Sequence, residues 1–362
     1  MKVAVDSGAL VGGHGARGIG VHTRELLSAL DEIVNKRKDI TIEAFNFSKN
    51  RHRLSNHNYD MVHYSAFHPN FIDLPFKKPA PKVVLTIHDL IPLIYPGHYP
   101  PGIKGELKFI ANKFLIKKNV DAIITISETS KKDICRFLGV NPDMVHVIYL
   151  APRKVFKRTA DSEKQKIKEK YCLPKKFALY VGDINYNKNI PNLIKACKIA
   201  GIPLVICGKQ ALGVDNKGID LMSLEGPRDW IRFLFGKPHP ELAHYRELIK
   251  EFDKGKGVIR LGYVPDEDLV SIYNLASAYV QSSLYEGFGL PVLEALACGC
   301  PVICSKTQTL VEIAKGAARF VDPNNPEDIA GGFSNLIKDP KLPRDYSWEK
   351  TAKETLQVYM RV

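Results

Sequence analysis

No stretch of the 362-residue sequence approaches the roughly 18 consecutive apolar residues that a membrane-spanning helix requires. The most apolar segment, 83–95, is broken by His88, Asp89 and Pro92. The opening residues, Met1-Lys2-Val3-Ala4-Val5-Asp6, are too short and too charged for a secretory signal and read as a first β-strand, so a cytoplasmic protein is expected. Cysteine is sparse and odd in number, with seven residues mostly inside apolar runs. No Cys-x-x-Cys pair occurs, which argues against a disulfide framework and against a zinc site. Cys298, Cys300 and Cys304 are expected to be small buried hydrophobes. No Asp-x-Asp triplet suited to holding Mg²⁺ against a diphosphate is read in the chain, so no metal is expected. Acidic residues are the minority, 39 against 52 basic, for a net charge of +13. Residues 1–155 carry 22 basic and 14 acidic residues (+8), and the remainder 30 and 25 (+5). That excess suits phosphate-rich ligands or an anionic lipid surface. No nucleic-acid module or aromatic-interleaved basic stretch accompanies it, so nucleic acid is not an expected partner.

What is present is an ordinary globular composition, 45% hydrophobic and 25% charged, which excludes disorder and collagen-like repeats. Short β-rich runs alternate with helical patterns. Strands are predicted at 2–6, 40–47, 61–64, 83–88, 122–126 and 145–148, with helices near 20–33, 103–118 and 129–138. The rhythm restarts with strands at 178–182, 204–207, 258–263, 278–282, 302–305 and 319–322. Helices are predicted near 190–200, 240–252, 266–276, 291–298, 308–315 and 326–337. Such alternation implies α/β architecture with two doubly wound parallel sheets. The Lys-rich stretch 151–176, with Pro152 and Pro174, reads as the linker. The expected division is therefore 1–160, 161–343 and a terminal helix in 344–362. Paired α/β domains place ligands in a cleft at the carboxyl ends of their strands.

Gly13-His-Gly15-Ala-Arg-Gly18 is a literal G-x-G-x-x-G. It begins about six residues after the first strand, and no acidic residue closes a second strand at the expected distance. A dinucleotide site is therefore the weaker reading. A glycine-rich loop ending in Gly18-Ile19-Gly20, before a helix that starts near Val21 and offers bare N–H groups to a phosphate, is the stronger one, with a plain turn as the other alternative. The segment Ser283-Leu-Tyr-Glu286-Gly287-Phe288-Gly289-Leu290-Pro291-Val-Leu-Glu294-Ala-Leu-Ala-Cys-Gly299 follows an apolar strand. Its glycines permit a tight turn, Pro291 suits a helix start and Gly299 a helix stop. Residues 286–290 should thus present N–H groups at a helix N-terminus. Eight helical residues span about 12 Å. That exceeds the roughly 5–9.5 Å between the carboxylates of a glycosidase pair. Glu286 and Glu294 therefore suit two grips on one extended ligand, or Glu294 simply complements the helix dipole. Lys104, Lys108, Lys113, Lys117 and Lys118 share one predicted helix but split into two groups around it. They read as a solvated face or as a membrane-facing one.

Glu286-x7-Glu294 within Glu-Gly-Phe-Gly-Leu-Pro-x-x-Glu-Ala resembles the hallmark of retaining glycosyltransferases of family 4, which have the GT-B fold. Nearly the whole chain agrees. Gly18-Ile-Gly20-Val-His-Thr-Arg-Glu-Leu resembles the family's N-terminal glycine loop, Thr86-Ile-His88-Asp89 its His-Asp strand end, and Ile126-Ser127-Glu128 the turn that follows. Tyr180-Val-Gly182 through Lys188-Asn189 resembles its phosphate-binding turn. Leu261-Gly-Tyr-Val264-Pro and Tyr346-Ser-Trp348-Glu-Lys-Thr-Ala352 are also similar to family segments, the last beginning a helix that crosses back to the first domain.

The resemblance implies two Rossmann-like domains facing each other across a cleft. It implies transfer of a hexose from a nucleoside diphosphate sugar to an acceptor hydroxyl, with retention. Glu286 would contact the donor sugar, the amides of Gly287, Phe288, Gly289 and Leu290 its oxygens, Glu294 the ribose, and Lys188 the diphosphate. The Gly18, Ile19 and Gly20 amides would reach the same phosphates, Gly182 would shape the donor turn, and Val264 would line the base pocket. His88, with Asp89 and Ser127 on the acceptor side, would lie near sugar and acceptor. No resident cofactor is implied, the donor being a co-substrate; GDP-mannose is the expected one. The acceptor would be a glycan or a lipid-linked glycan, with peripheral contact at the inner face of the membrane. Two departures stand out. Where relatives carry Arg after the glycine or before the lysine, this chain has Asp183 and Asn187. Arg153, Arg158, Lys209 or Arg228 are candidates to replace that cation. Acceptor loops are expected at 47–60 and 91–105. The rival readings are a GT-B epimerase or phosphorylase and, more distantly, an NAD-dependent oxidoreductase.

Overall fold

The valine- and isoleucine-rich runs at the centre of each sheet become strands buried on both faces, as a parallel sheet covered by helices requires, while the edge strands stay partly exposed. The computed structural model describes residues 1–11, 18–50, 53–54, 58–213, 240–253 and 257–362. Gly13 and Gly15 of the glycine-rich loop, Arg228 and part of the 47–60 loop lie outside the described residues.

The chain divides into two units, one formed by 1–96, 100–153 and 345–362, the other by 97–99 and 154–344. In the first, β1 (Lys2–Asp6), α1 (Gly18–Val34), β2 (Thr41–Phe45), β3 (Met61–Tyr64) and β4 (Lys82–Thr86) come in that order. A short α2 (Ile91–Ile94), α3 (Gly102–Asn119), β5 (Ala122–Thr125), α4 (Glu128–Leu138) and β6 (Val145–Val147) follow. The strands form one parallel sheet in the order β2-β1-β3-β4-β5-β6. Its core includes Val62, Leu85, Ile87, Ile123 and Ile134, all fully buried. Each such side chain stabilises the fold by roughly 1.5–3 kcal/mol relative to exposure.

The second unit runs through α5 (Asp161–Lys170), β7 (Ala178–Val181), α6 (Ile190–Ala200), β8 (Leu204–Cys207), α7 (Lys209–Leu212), α8 (Pro240–Asp253) and β9 (Val258–Gly262). It continues with α9 (Asp266–Leu275), β10 (Ala278–Gln281), α10 (Leu290–Ala297), β11 (Val302–Ser305), α11 (Gln308–Ala314), β12 (Arg319–Val321) and α12 (Pro326–Gly331). Its sheet is also parallel, in the order β12-β11-β10-β7-β8-β9. The ends of β7 and β8 approach so closely that a Cβ on Gly208 would lie 2.2 Å from the Gly182 carbonyl oxygen, so only glycine fits there.

Three expectations change. The division falls at 153/154 because residues 154–160 pack on α9: Phe156 stands edge-on to Tyr273, and the Asn274 side chain bonds the Lys157 carbonyl and the Thr159 amide. The predicted linker contains helix α5, which buries no residue and so shows no apolar period. Charge holds it instead. Asp161 and Glu163 sit in its first turn and Lys168 and Lys170 in its last, opposing the helix dipole, while Lys170 bonds Asp268 of α9 at 2.6 Å. The helix predicted over 326–337 ends at Gly331 and tightens into a 3₁₀ turn through Ser334.

The final helix, α13 (Trp348–Arg361), belongs to the first unit. Ser347 caps it, accepting from the Lys350 amide. Its inner face carries Trp348, Ala352, Leu356 and Tyr359, and the Thr351 hydroxyl donates to the Tyr149 carbonyl at 2.8 Å. No described helix is long and apolar enough to cross a membrane.

Candidate active site

In an open parallel sheet, ligands sit beyond the carboxyl ends of the strands where the order reverses. In the second unit that point lies between β7 and β10. Lys188 lies in the turn after β7 and Glu286 in the loop after β10. The Lys188 Nζ bonds both Glu286 carboxylate oxygens, at 2.8 and 2.9 Å. Glu286 is buried, and Oε1 also accepts from the Ser283 hydroxyl at 2.6 Å and from the Gln281 amide. The Thr309 hydroxyl holds the Glu286 carbonyl at 2.8 Å. Among the described residues, Oε1 thus receives three donors, whereas Oε2 receives Lys188 alone and retains acceptor capacity. Lys188 likewise has a third N–H beyond the two spent on Glu286.

The turn that aims Lys188 is fastened from several sides. Asn189 adopts the left-handed conformation, with φ 56°, that ends the 3₁₀ turn at 186–188 and opens α6. Its side-chain amide bonds the Ser282 and Pro323 carbonyls. Asn187, standing where a cation is expected, is a bridge. Its Oδ1 accepts from the Tyr99 hydroxyl at 2.9 Å, and its Nδ2 donates to the Tyr285 carbonyl at 3.2 Å. Gly289, with φ 103°, turns the chain into α10. A Cβ there would meet Leu310 Cδ2 at 2.6 Å. No side chain caps α10, so Leu290 opens it with first-turn backbone polarity aimed out of the helix end. Glu294, on the same helix, is buried beside the Tyr273 hydroxyl at 3.4 Å. Gly182 adopts φ 145° just past β7, and Val264 is buried just past β9.

Of the candidate replacement cations, Arg158 is ion-paired with Asp339 and lies against Gly299. Lys209 begins α7 beside the Gly182–Gly208 contact, with its Nζ 5.2 Å from the centre of the Tyr263 ring. Arg153 closes the first unit. Asp266-Glu-Asp268 is literally of Asp-x-Asp form, but it lies in the first turn of α9, and Asp268 is engaged by Lys170 and Tyr171. Among the described residues, no group of three or more His, Cys, Asp or Glu converges to hold a metal.

In the first unit, α1 starts at Gly18, so Gly18, Ile19 and Gly20 are its first turn, whose N–H groups lack intrahelical partners. His88, two residues past β4, is buried, and its Nε2 lies 2.7 Å from Nδ1 of His22 on α1. The His22 ring stacks on Trp348 of α13. His88 Nδ1 is buried with no hydrogen-bond partner among the described residues. The hydrogen bond to His22 couples the tautomers of the two rings, so the ring that donates in it decides whether His88 Nδ1 is a donor or an acceptor. His22 was absent from the sequence-based site. Its only signal was a place on the buried face of the glycine-led helix, and its partner is 66 residues away. Gln281, Ser283 and Thr309 were likewise unassigned; Gln281 alone left a trace, as a polar residue closing an apolar strand. Asp89 accepts from the Ile91 amide, and Ser127 caps α4 through the Ser130 amide. Both therefore shape loops at the strand ends.

Burial makes three imidazoles hard to protonate. It lowers His63 to about 3 and His88 to about 4, and holds His22 well below its ordinary value. His63 is held between the Tyr359 hydroxyl at 2.6 Å and the Thr86 hydroxyl at 2.7 Å. Unfolding returns each ring to about 6.5, so below that pH the unfolded chain binds more protons than the folded one. Stability is then flat above pH 7 and falls as pH drops below 6.5. At pH 5 the loss is on the order of 2 kcal/mol each for His63 and His88, and His22 acts in the same direction. Urea unfolding from pH 8 to 5 measures it, and a midpoint that stays constant to pH 5 contradicts it.

The model of the group 1 glycosyl transferases matches residues 161–354, more than half of the chain. The chain belongs to this family. The model of glycosyltransferase family 4 matches residues 31–151 of the same glycosyl transferase. It is similar to O-antigen chain mannosyltransferase B of Escherichia coli, 27% identical over 322 residues, which cover 83% of this chain and 75% of that one. It is also 27% identical over 306 residues to the serotype-specific mannosyltransferase WbdA of Escherichia coli, covering 80% of this chain and 35% of that protein. This glycosyl transferase thus spans about a third of WbdA's length. Among solved structures, sucrose-phosphate synthase from Thermosynechococcus elongatus superposes with a TM-score of 0.63 at 19% identity, covering 100% of this chain and 94% of that one. The fold is GT-B.

Proposed function

We propose that this glycosyltransferase moves mannose from GDP-mannose to a hydroxyl of a glycan or lipid-linked acceptor, with retention at the anomeric carbon. The observation that carries the reading is the buried Lys188–Glu286 pair at the switch point of the second sheet, with Glu286 Oε2 still able to accept. In this reading Oε2 takes a sugar hydroxyl beside the reacting carbon. Lys188 turns its third N–H to the diphosphate, where negative charge grows as the bond breaks. The amides of Gly287, Phe288, Gly289 and Leu290, at the opening of α10, take sugar and diphosphate oxygens. Glu294 accepts from the ribose, Val264 lines the base, and Lys209 supplies the second cation. The first-turn amides of α1 are assigned to phosphate oxygens. His88 is assigned to the transferred sugar, and Asp89 and Ser127 to the acceptor side. The departing diphosphate takes the acceptor's proton, so the protein needs no nucleophile of its own. The relatives named mannosyltransferases support the choice of sugar, and the basic first half supports peripheral contact with a membrane.

A thermal-shift panel without added metal tests this. A ligand that binds only the folded state stabilises it by mass action, by about 2.7 kcal/mol at one hundred times its Kd, and so raises the midpoint. GDP and GDP-mannose are expected to raise it by a few degrees. A shift with UDP or ADP alone overturns the donor, and a shift with NAD alone overturns the class. Product formed from the donor without any acceptor identifies an epimerase instead.

A further inference from the structure

Glu286 lies in a glycine-rich loop, but what holds its carboxylate is rooted in strand β10. Tyr279 and Gln281 stand two residues apart on that strand, so their side chains leave the same face of the sheet. Both are buried, Tyr279 completely, and β10 itself lies between β7 and β11. The Tyr279 hydroxyl donates to Gln281 Oε1. Gln281 Nε2 donates to the Ser283 hydroxyl oxygen at 2.7 Å and to Glu286 Oε1. The Ser283 hydroxyl in turn donates to Glu286 Oε1 at 2.6 Å. The direction of each bond is forced. An ionised carboxylate only accepts, so the end of the Gln281 amide that faces Glu286 must be its nitrogen. That amide then spends both N–H groups, and its oxygen meets the phenol. Burial above all, then the neighbouring Tyr180 and Glu286, hold the Tyr279 phenol well above its ordinary pKa, so it keeps its proton and stays a donor.

This chain of donors breaks the symmetry of the carboxylate. Lys188 bonds both oxygens and does not by itself choose between them. Gln281 and Ser283 both choose Oε1, which leaves Oε2 as the oxygen able to meet a sugar hydroxyl. Removing the phenol would leave the Gln281 oxygen buried without its donor. Turning the amide over to relieve that would set oxygen against oxygen at Glu286. The orientation of Glu286 therefore depends on a hydroxyl in the core of the sheet that is itself closed to any ligand.

We infer that Tyr279 is a positioning residue: acting through Gln281, it sets which oxygen of Glu286 is presented to the transferred sugar. The inference rests on the reading of Glu286 as the grip on that sugar. Its test compares the affinity of the full chain for GDP and for GDP-mannose by calorimetry, or for the matching pair if another nucleotide stabilises the wild type. The ratio of the two isolates the sugar. Tyr279→Phe is expected to weaken GDP-mannose about fivefold and Gln281→Met about tenfold, with GDP within about twofold of the wild type in both. With both changes together the loss is expected to stay at about tenfold, because the phenol acts only through the amide. The melting temperature of the double variant is expected to be no lower than that of Gln281→Met, since replacing both partners leaves no orphaned group. Three results overturn the inference: a loss of about fiftyfold in the double variant, Tyr279→Phe binding GDP-mannose like the wild type, or GDP and GDP-mannose weakening alike, which makes Tyr279 a packing residue. The reading beneath it fails separately. Glu286→Gln with the wild-type ratio of affinities removes Glu286 from the sugar, whereas a sugar-specific loss in Glu286→Gln with none in Tyr279→Phe overturns the role of Tyr279 alone.

Discussion

Replacing Glu286 with glutamine is expected to lower the transfer rate by about two to three orders of magnitude while the fold survives. Glutamine keeps the size of the side chain and can still accept from Ser283. It removes the negative charge against which Lys188 is held at 2.8 and 2.9 Å. It also turns one end of the group from acceptor to donor, so Gln281 Nε2 or Lys188 meets a second donor. An alanine would confuse the result, because it leaves Lys188, Gln281 and Ser283 without the acceptor around which they are built. Breaking one side of a buried ion pair typically costs about 3–5 kcal/mol. The isosteric change separates chemistry from folding. Melting temperature, nucleotide binding and turnover should be measured on the same preparation. Retention of wild-type turnover removes Glu286 from the reaction. Loss of melting cooperativity alongside turnover gives the residue a structural role instead.

His88→Asn is expected to lower turnover by about a hundredfold, and His22→Leu by about tenfold. The first removes the ring whose buried Nδ1 has no partner among the described residues; the second removes only the group hydrogen-bonded to its Nε2. The two changes are distinguishable by a readout that structure alone would not move. His88 is already lowered to about 4, so the wild-type rate should show no limb from this ring between pH 5 and 8. In His22→Leu the remaining ring is freed to take either tautomer, and part of the lost rate should return in His22→Gln, which restores a hydrogen-bonding partner. Equal losses in His22→Leu and His22→Gln, with falling melting temperatures in both, would make His22 a packing residue.

The strands were legible because a strand covered on both faces has to be apolar throughout, and such runs are short and sharply bounded. Every described strand lies within two residues of its predicted limits. Helix α5 was not legible for the opposite reason. Asp-Ser-Glu-Lys-Gln-Lys-Ile-Lys-Glu-Lys has no face to bury, and its helicity depends on charges within it and on Asp268, almost one hundred residues later. The glycine-led loop after β10 and the lysine turn after β7 were visible as motifs, but their contact with each other was not. Lys188 and Glu286 are 98 residues apart, and only the strand order places β7 beside β10. Buried polar partners such as His22 show only that they lie on a buried face, not what they meet there. Their identity is set by what faces them across the fold.

Helix α13 has a consequence for how the chain comes off the ribosome. His63 on the third strand finds its partner Tyr359 296 residues later, and the His22 ring rests on Trp348. The sheet to which these histidines belong is complete by residue 147, yet the helix that closes over it is made about two hundred residues later. At about 5–20 residues per second, the first unit waits roughly ten to forty seconds with those imidazoles uncovered. The second unit, whose segments from 154 to 344 are all synthesised in that interval, can fold in the meantime. The last residue of the second unit is thus made before the segment that completes the first.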